Sequence, residues 1–286
     1  MEPVTKPDPA PDELDYYAPP RGESGPSGPG RDVEADVVPF DLGCIVAATW
    51  SVFKRRLWPS VGIAWTAYIL VLAFGQVQSL VTGRLSPADR PTYYFVYFAF
   101  FFGGSVFSTW ISLGQNLAFL AIARGEEAPN DRLFQGWPFV LTSLLAGLVL
   151  VGLMAGVALI VLAPAALLAE VAGRSILPVV LGGVVAMVAI AYVALRTWQF
   201  AYFIVDRNLG VMDSLRASWW ATGRGPGTVL LLYLTVFAAN LAGLLCFVVG
   251  LIFSIPFTTL LLAVGYLSLT GQPLRPLEAG PDSPAE

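Results

Sequence analysis

Six apolar runs of membrane-spanning length divide this chain, and no other feature constrains its fold as strongly. They cover about residues 60–80, 92–123, 139–163, 178–205, 228–249 and 253–270. A helix needs roughly 20 mostly apolar residues to cross the hydrocarbon core of a bilayer. Only 13% of the residues are charged, against about 25% in a soluble domain. The charges are also clustered between the runs. The sequence therefore predicts an all-α membrane protein with six transmembrane helices.

The second run is longer than one crossing requires. Its aromatic start, Thr92–Gly104, is expected either to begin in the interface or to tilt, with the core of the span at about 106–123. Three shorter stretches read as interfacial helices on the cytoplasmic side. The first is Asp41–Leu57, where Leu42, Ile45, Val46, Trp50, Phe53 and Leu57 share a helical face. Asp41 is its expected N-cap, and Lys54, Arg55, Arg56 and Trp58 suit a headgroup layer. The second is a short piece in Arg124–Trp137, with Leu133, Phe134 and Trp137 as its apolar face. The third follows the break Asp206-Arg207-Asn208. Val211, Met212, Leu215, Trp219 and Thr222 form its less polar side, and Arg216 and Arg224 its charged one.

These stretches repeat a pattern of interfacial helix, span, span, with units at about 40–128, 129–208 and 209–272. The hairpins finish alike, with ARGEEAP, VDRNLG and LTGQP. Residues 1–38 are rich in Pro, Gly, Asp and Glu and are expected to be a disordered acidic tail. They lack the basic and apolar regions of a signal peptide. A short polar tail, 273–286, closes the chain. Nine basic residues near the spans fall on the N-terminal side: Lys54, Arg55, Arg56, Arg124, Arg132, Arg207, Arg216, Arg224 and Arg275. Three fall on the other side: Arg84, Arg90 and Arg174. This bias predicts cytoplasmic termini in a plasma (inner) membrane. The Arg-rich, Ala-, Gly- and Pro-rich composition suggests a GC-rich bacterial genome.

There are no histidines, which removes His-based triads, general bases and metal ligands together. Cys44 and Cys246 read as small packing residues, with lipidation of Cys44 as the alternative. No cofactor is expected, and GRGPG at Gly223–Gly227 lacks the Lys-Ser/Thr of a phosphate loop.

Phe203–Gly225 resembles the membrane domain of the glycerophosphoryl diester phosphodiesterase family and related six-span bacterial proteins. Arg196, Asp206, Ser214 to Trp219, Thr222 and Gly225 carry the resemblance, joined by Gly250, Pro256 and Tyr266 in the last hairpin. It covers about residues 40–272 and is most specific in its last third. The chain ends soon after the sixth run and has no histidine, so the resemblance implies the membrane domain without the catalytic barrel.

One charge stands inside a run. Arg196 lies about nine residues inward of Val205, roughly 13 Å along a helix, near the bilayer middle. Its candidate partners are Gln115, Asn116, Gln199, Asn240 and Asp206. Lys54, Arg55, Arg56, Arg207, Arg216 and Arg224 are candidate headgroup contacts. The expected function is a non-enzymatic scaffold or partner-binding membrane domain. The alternative is a small transporter or lipid-handling protein with a cavity near Arg196. Expected partners are membrane lipids, and another membrane protein or a cytoplasmic protein reached through the N-terminal tail; nucleic acid is not expected.

Overall fold

A computed structural model describes residues 38–85, 90–126, 129–173, 175–246 and 249–274. The acidic tail before Val38, the C-terminal residues from Arg275 and the loop residues Asp89 and Arg174 lie outside them. The described residues are all-helical. Six helical segments are long and apolar enough to cross a membrane: Leu57–Thr82, Pro91–Ala123, Pro129–Val171, Leu177–Arg207, Pro226–Leu245 and Leu251–Leu269.

Helix α1, Leu42–Arg55, starts where Asp41 Oδ2 accepts the Gly43 N–H at 2.9 Å. It buries Ile45, Thr49 and Phe53 and turns Trp50 outward. The chain bends at Arg56, and Pro59 falls in the first turn of α2, Leu57–Thr82, where a missing N–H costs nothing. Helix α3, Arg90–Ala123, is one continuous helix of 34 residues, about 51 Å long. Gly103 and Gly104 do not break it. Gly104 faces Phe74 of α2, which would lie 3.0 Å from an added Cβ.

Pro129–Phe134 and Trp137–Phe139 form 3-10 turns, not an amphipathic α-helix. They run back along α3. A Cβ on Gly114 would lie 1.7 Å from Leu133 O, and one on Gly136 would lie 2.6 Å from Trp110 O. Two glycines thus let the backbones touch, and Trp110 Nε1 donates to Phe134 O at 3.0 Å. Leu133 is buried, while Phe134 and Trp137 stay largely exposed on either side of the Trp110 ring, at 6.1 and 5.9 Å, so the three do not form one buried face. Helix α4 continues from Val140 through Pro164 to Val171, past the residue-163 end expected from sequence. The extra turns, AALLAEV, are rich in good helix formers.

The fourth span is two helices: α5, Leu177–Thr197, and α6, Phe200–Arg207. Helix α7, Val211–Gly223, follows and packs against both. Helices α8, Pro226–Leu245, and α9, Leu251–Leu269, form a tight hairpin, where a Cβ on Gly250 would lie 2.6 Å from Gly243 O. Helix α9 is the hub and packs on α1, α2, α3 and α8. Of its most apolar window, 56% is buried, against 6% for the third span.

The three hairpins end alike in backbone as well as in hydropathy. Each closes on a left-handed residue: Gly125 (φ 70°), Asn208 (φ 52°) and Gly271 (φ 63°). Glycine takes that conformation freely, and asparagine is among the few others that tolerate it. The first and third carry the same return bond, Glu126 N–H to Ala121 O and Gln272 N–H to Leu267 O, both 2.9 Å. The second is wider, with Leu209 N–H reaching Phe203 O at 3.5 Å.

Candidate functional site

The three hairpin ends meet at one buried carboxylate. Asp206 sits on the last turn of α6 with 7% of its side chain exposed. Arg124, just past the end of α3, donates from Nη2 to Asp206 Oδ1. Tyr266 of α9 donates its hydroxyl to Asp206 Oδ2 at 2.8 Å, and Gln272 donates Nε2–H to the same oxygen at 2.9 Å. Arg124 closes the ring by donating to Gln272 Oε1 at 2.6 Å. A carboxylate removed from water needs this many donors, because an unpaired buried charge is strongly unfavourable. Aromatic packing fixes the geometry. Tyr202 stacks on Tyr266 at 5.3 Å, and Phe203 meets it edge-on at 5.2 Å. Sequence reasoning missed Arg124, Tyr266 and Gln272 as partners of Asp206. The available signal was their shared place at the hairpin ends.

A second joint explains the break in the fourth span. In a straight helix the carbonyl of Arg196 would accept the N–H of Phe200. Here it accepts the Ser218 hydroxyl at 3.1 Å and lies 2.9 Å from Thr222 Oγ1. Ser218 Oγ also accepts the Gln199 N–H at 3.2 Å. Hydroxyls of α7 thus replace the helix ladder at Trp198-Gln199, a recognised cause of sharp helix bends. The buried stripe of α7, Ser214, Ala217, Ser218, Ala221 and Thr222, is small enough to bring the two backbones together.

The Arg196 side chain does not find the partners expected for it. Its guanidinium carbon lies 4.7 Å from the Trp219 ring centroid and 5.8 Å from that of Tyr192, both cation–π contacts. Its terminal nitrogens sit beside Gly223, where a Cβ would come within 2.8 Å. That is three residues before Pro226, where the fifth span begins, and not the middle of a span. Two helices, α5 and α6, stand in place of the straight helix along which its depth was reckoned. The Gln199 side chain is wholly buried, and neither of its amide atoms has a partner among the described residues.

Asn240 forms a third, local joint inside the last hairpin. It donates from Nδ2 to Val236 O at 2.9 Å and to Thr258 Oγ1 at 3.3 Å, and Oδ1 accepts the Ser254 hydroxyl at 3.2 Å. Gln115 and Asn116 are half-buried on α3. The six residues grouped from sequence as one polar cluster therefore divide among separate places.

The basic residues divide too. Lys54, Arg55, Arg216 and Arg224 are exposed. Lys54 lies over the Trp50 ring at 5.7 Å. Arg56 turns inward, and its Nη1 donates to Glu126 O at 3.4 Å. Arg207 lies over the Phe203 ring at 6.0 Å. Cys44 and Cys246 are free thiols at exposed positions, not packing residues.

No family model, curated protein or solved structure matches the chain. Several residues singled out in the sequence are joint residues here: Asp206 with Tyr266, Ser218 and Thr222 with the Arg196 carbonyl, and Gly250 against Gly243.

Proposed function

We propose that the protein is a non-enzymatic integral membrane scaffold: a six-span domain that holds partners at the membrane. Its termini would lie in the cytoplasm, and its tail would be free to dock. One observation carries this reading. The buried carboxylate of Asp206 is saturated by Arg124, Tyr266 and Gln272. Asn240 is likewise used between helices. Polar groups employed as helix joints are not available for chemistry or for a substrate path. The nine-to-three bias of basic residues supports the cytoplasmic placement.

The lipid-handling reading draws on Arg196, which has no carboxylate partner among the described residues. Cysteine accessibility separates the two in a Cys44→Ser/Cys246→Ser background. Single cysteines at Gln115, Asn116 and Asn240 should resist a hydrophilic thiol reagent from both sides, while Ser175→Cys reacts from outside. Rapid labelling at Gln115 or Asn240 would reveal an aqueous path and defeat the scaffold reading. Labelling of Ser175→Cys from the cytoplasm would reverse the orientation.

A further inference from the structure

Arg196 is a half-buried cation that no carboxylate meets among the described residues. Two aromatic rings cover the guanidinium, Trp219 and Tyr192, and these rings meet edge to face at 5.8 Å. Rings favour a cation but do not neutralise it. Its Nε is shut off from solvent and has no partner, and no carboxylate lies within ion-pair distance among the described residues. A half-buried cation in this state calls for an external anion.

Two surfaces adjoin it. On α7, Trp219 turns in to Arg196 while its neighbour Trp220 turns out, 64% exposed. Trp220 belongs to an outward stripe with Met212, Arg216 and Arg224, in which apolar and cationic side chains alternate. On α5, the positions one, two and three turns before Arg196 are Tyr192, Val188 and Val185, all uncovered by the rest of the chain. The first surface suits a phosphate at the membrane boundary, and the second suits an acyl chain running down from it.

We propose that Arg196, with Arg216, Trp220 and Arg224 of α7, binds the headgroup of an anionic phospholipid whose acyl chain lies along Tyr192, Val188 and Val185. A free phosphate would use the cations but not the apolar track, so the lipid is the occupant favoured. This site stands whether or not the scaffold reading holds.

The test uses delipidated full-length protein in mild detergent, with bound lipid counted by native mass spectrometry. The probes are phosphatidylglycerol, phosphatidylcholine with the same acyl chains, and inorganic phosphate. Phosphatidylglycerol should be retained about tenfold more tightly than phosphatidylcholine, and inorganic phosphate should not displace it. Arg196→Gln should weaken retention about tenfold, and Arg216→Gln about fivefold. Equal retention of the two lipids would overturn the proposal, as would displacement by inorganic phosphate or full retention by Arg196→Gln. If Arg196→Gln does not give monodisperse, helical protein, Arg216→Gln decides. A phosphatidylglycerol preference unchanged in that variant refutes the site.

Discussion

The Asp206 joint can be weighed and tested. Asp206→Ala removes the acceptor shared by three donors. The Tyr266 hydroxyl belongs to a residue with 0% exposure, so stranding it costs about 2 kcal/mol. The Arg124 side chain is 32% exposed and Gln272 is only half-buried, so water replaces part of what they lose. Their share is discounted to about 1 kcal/mol together. The sum, about 3 kcal/mol, corresponds to a fall of roughly 6–12 °C in unfolding midpoint for a protein of this size. The assay is thermal unfolding of purified protein in mild detergent, followed by far-UV circular dichroism. Tyr266→Phe supplies the control. Once the carboxylate is gone the hydroxyl is a liability, so Asp206→Ala/Tyr266→Phe should unfold at a higher temperature than Asp206→Ala. Tyr266→Phe alone should unfold below wild type, because it removes a good hydrogen bond. An Asp206→Ala midpoint within about 2 °C of wild type would refute the reasoning, since it would mean the joint contributes little. Additive single effects would show that the two groups do not interact.

Two further outcomes follow from the close backbone contacts. Gly114→Ala places a methyl 1.7 Å from Leu133 O, so it should prevent the 129–139 turns from docking and abolish recovery of folded protein, measured by size-exclusion yield. Ser218→Ala and Thr222→Val each remove a hydroxyl from the Arg196 carbonyl and should cost about 1 kcal/mol apiece. Because they serve the same acceptor, the double variant should lose more than the sum, and strict additivity in the same unfolding assay would deny the shared role.

The segments that carry Arg196 and Asp206 show how far pattern alone reaches. Hydropathy located the fourth run, and the polar break after Val205 marked its end. Neither could show that the run bends at Trp198-Gln199, because no Pro or Gly marks the place. The cause lies about twenty residues later, in hydroxyls of α7 that compete for a carbonyl. The partner of Asp206 was equally hidden. Arg124, Tyr266 and Gln272 are 82, 60 and 66 residues away in the chain. The middle connecting piece misled for a different reason. Apolar residues at Leu133, Phe134 and Trp137 suggested a helical face, but Gly114 and Gly136 let the backbone lie against α3 as 3-10 turns.

By itself the sequence determined that the chain is helical and long enough in six places to cross a bilayer, because charge-free runs of that length have few other stable fates. It also determined where the hairpins end, through Gly125, Asn208 and Gly271, since few residues other than glycine and asparagine accept a left-handed backbone readily. Only the tertiary structure decided which run is the centre. The runs of α4 and α9 are both apolar all round, yet α9 is the buried hub and α4 the uncovered rim. The physical reason is the solvent. Lipid is as apolar as leucine, so hydrophobicity does not distinguish core from perimeter inside a membrane. Close packing and a few polar joints do, and those are relations between distant parts of the chain.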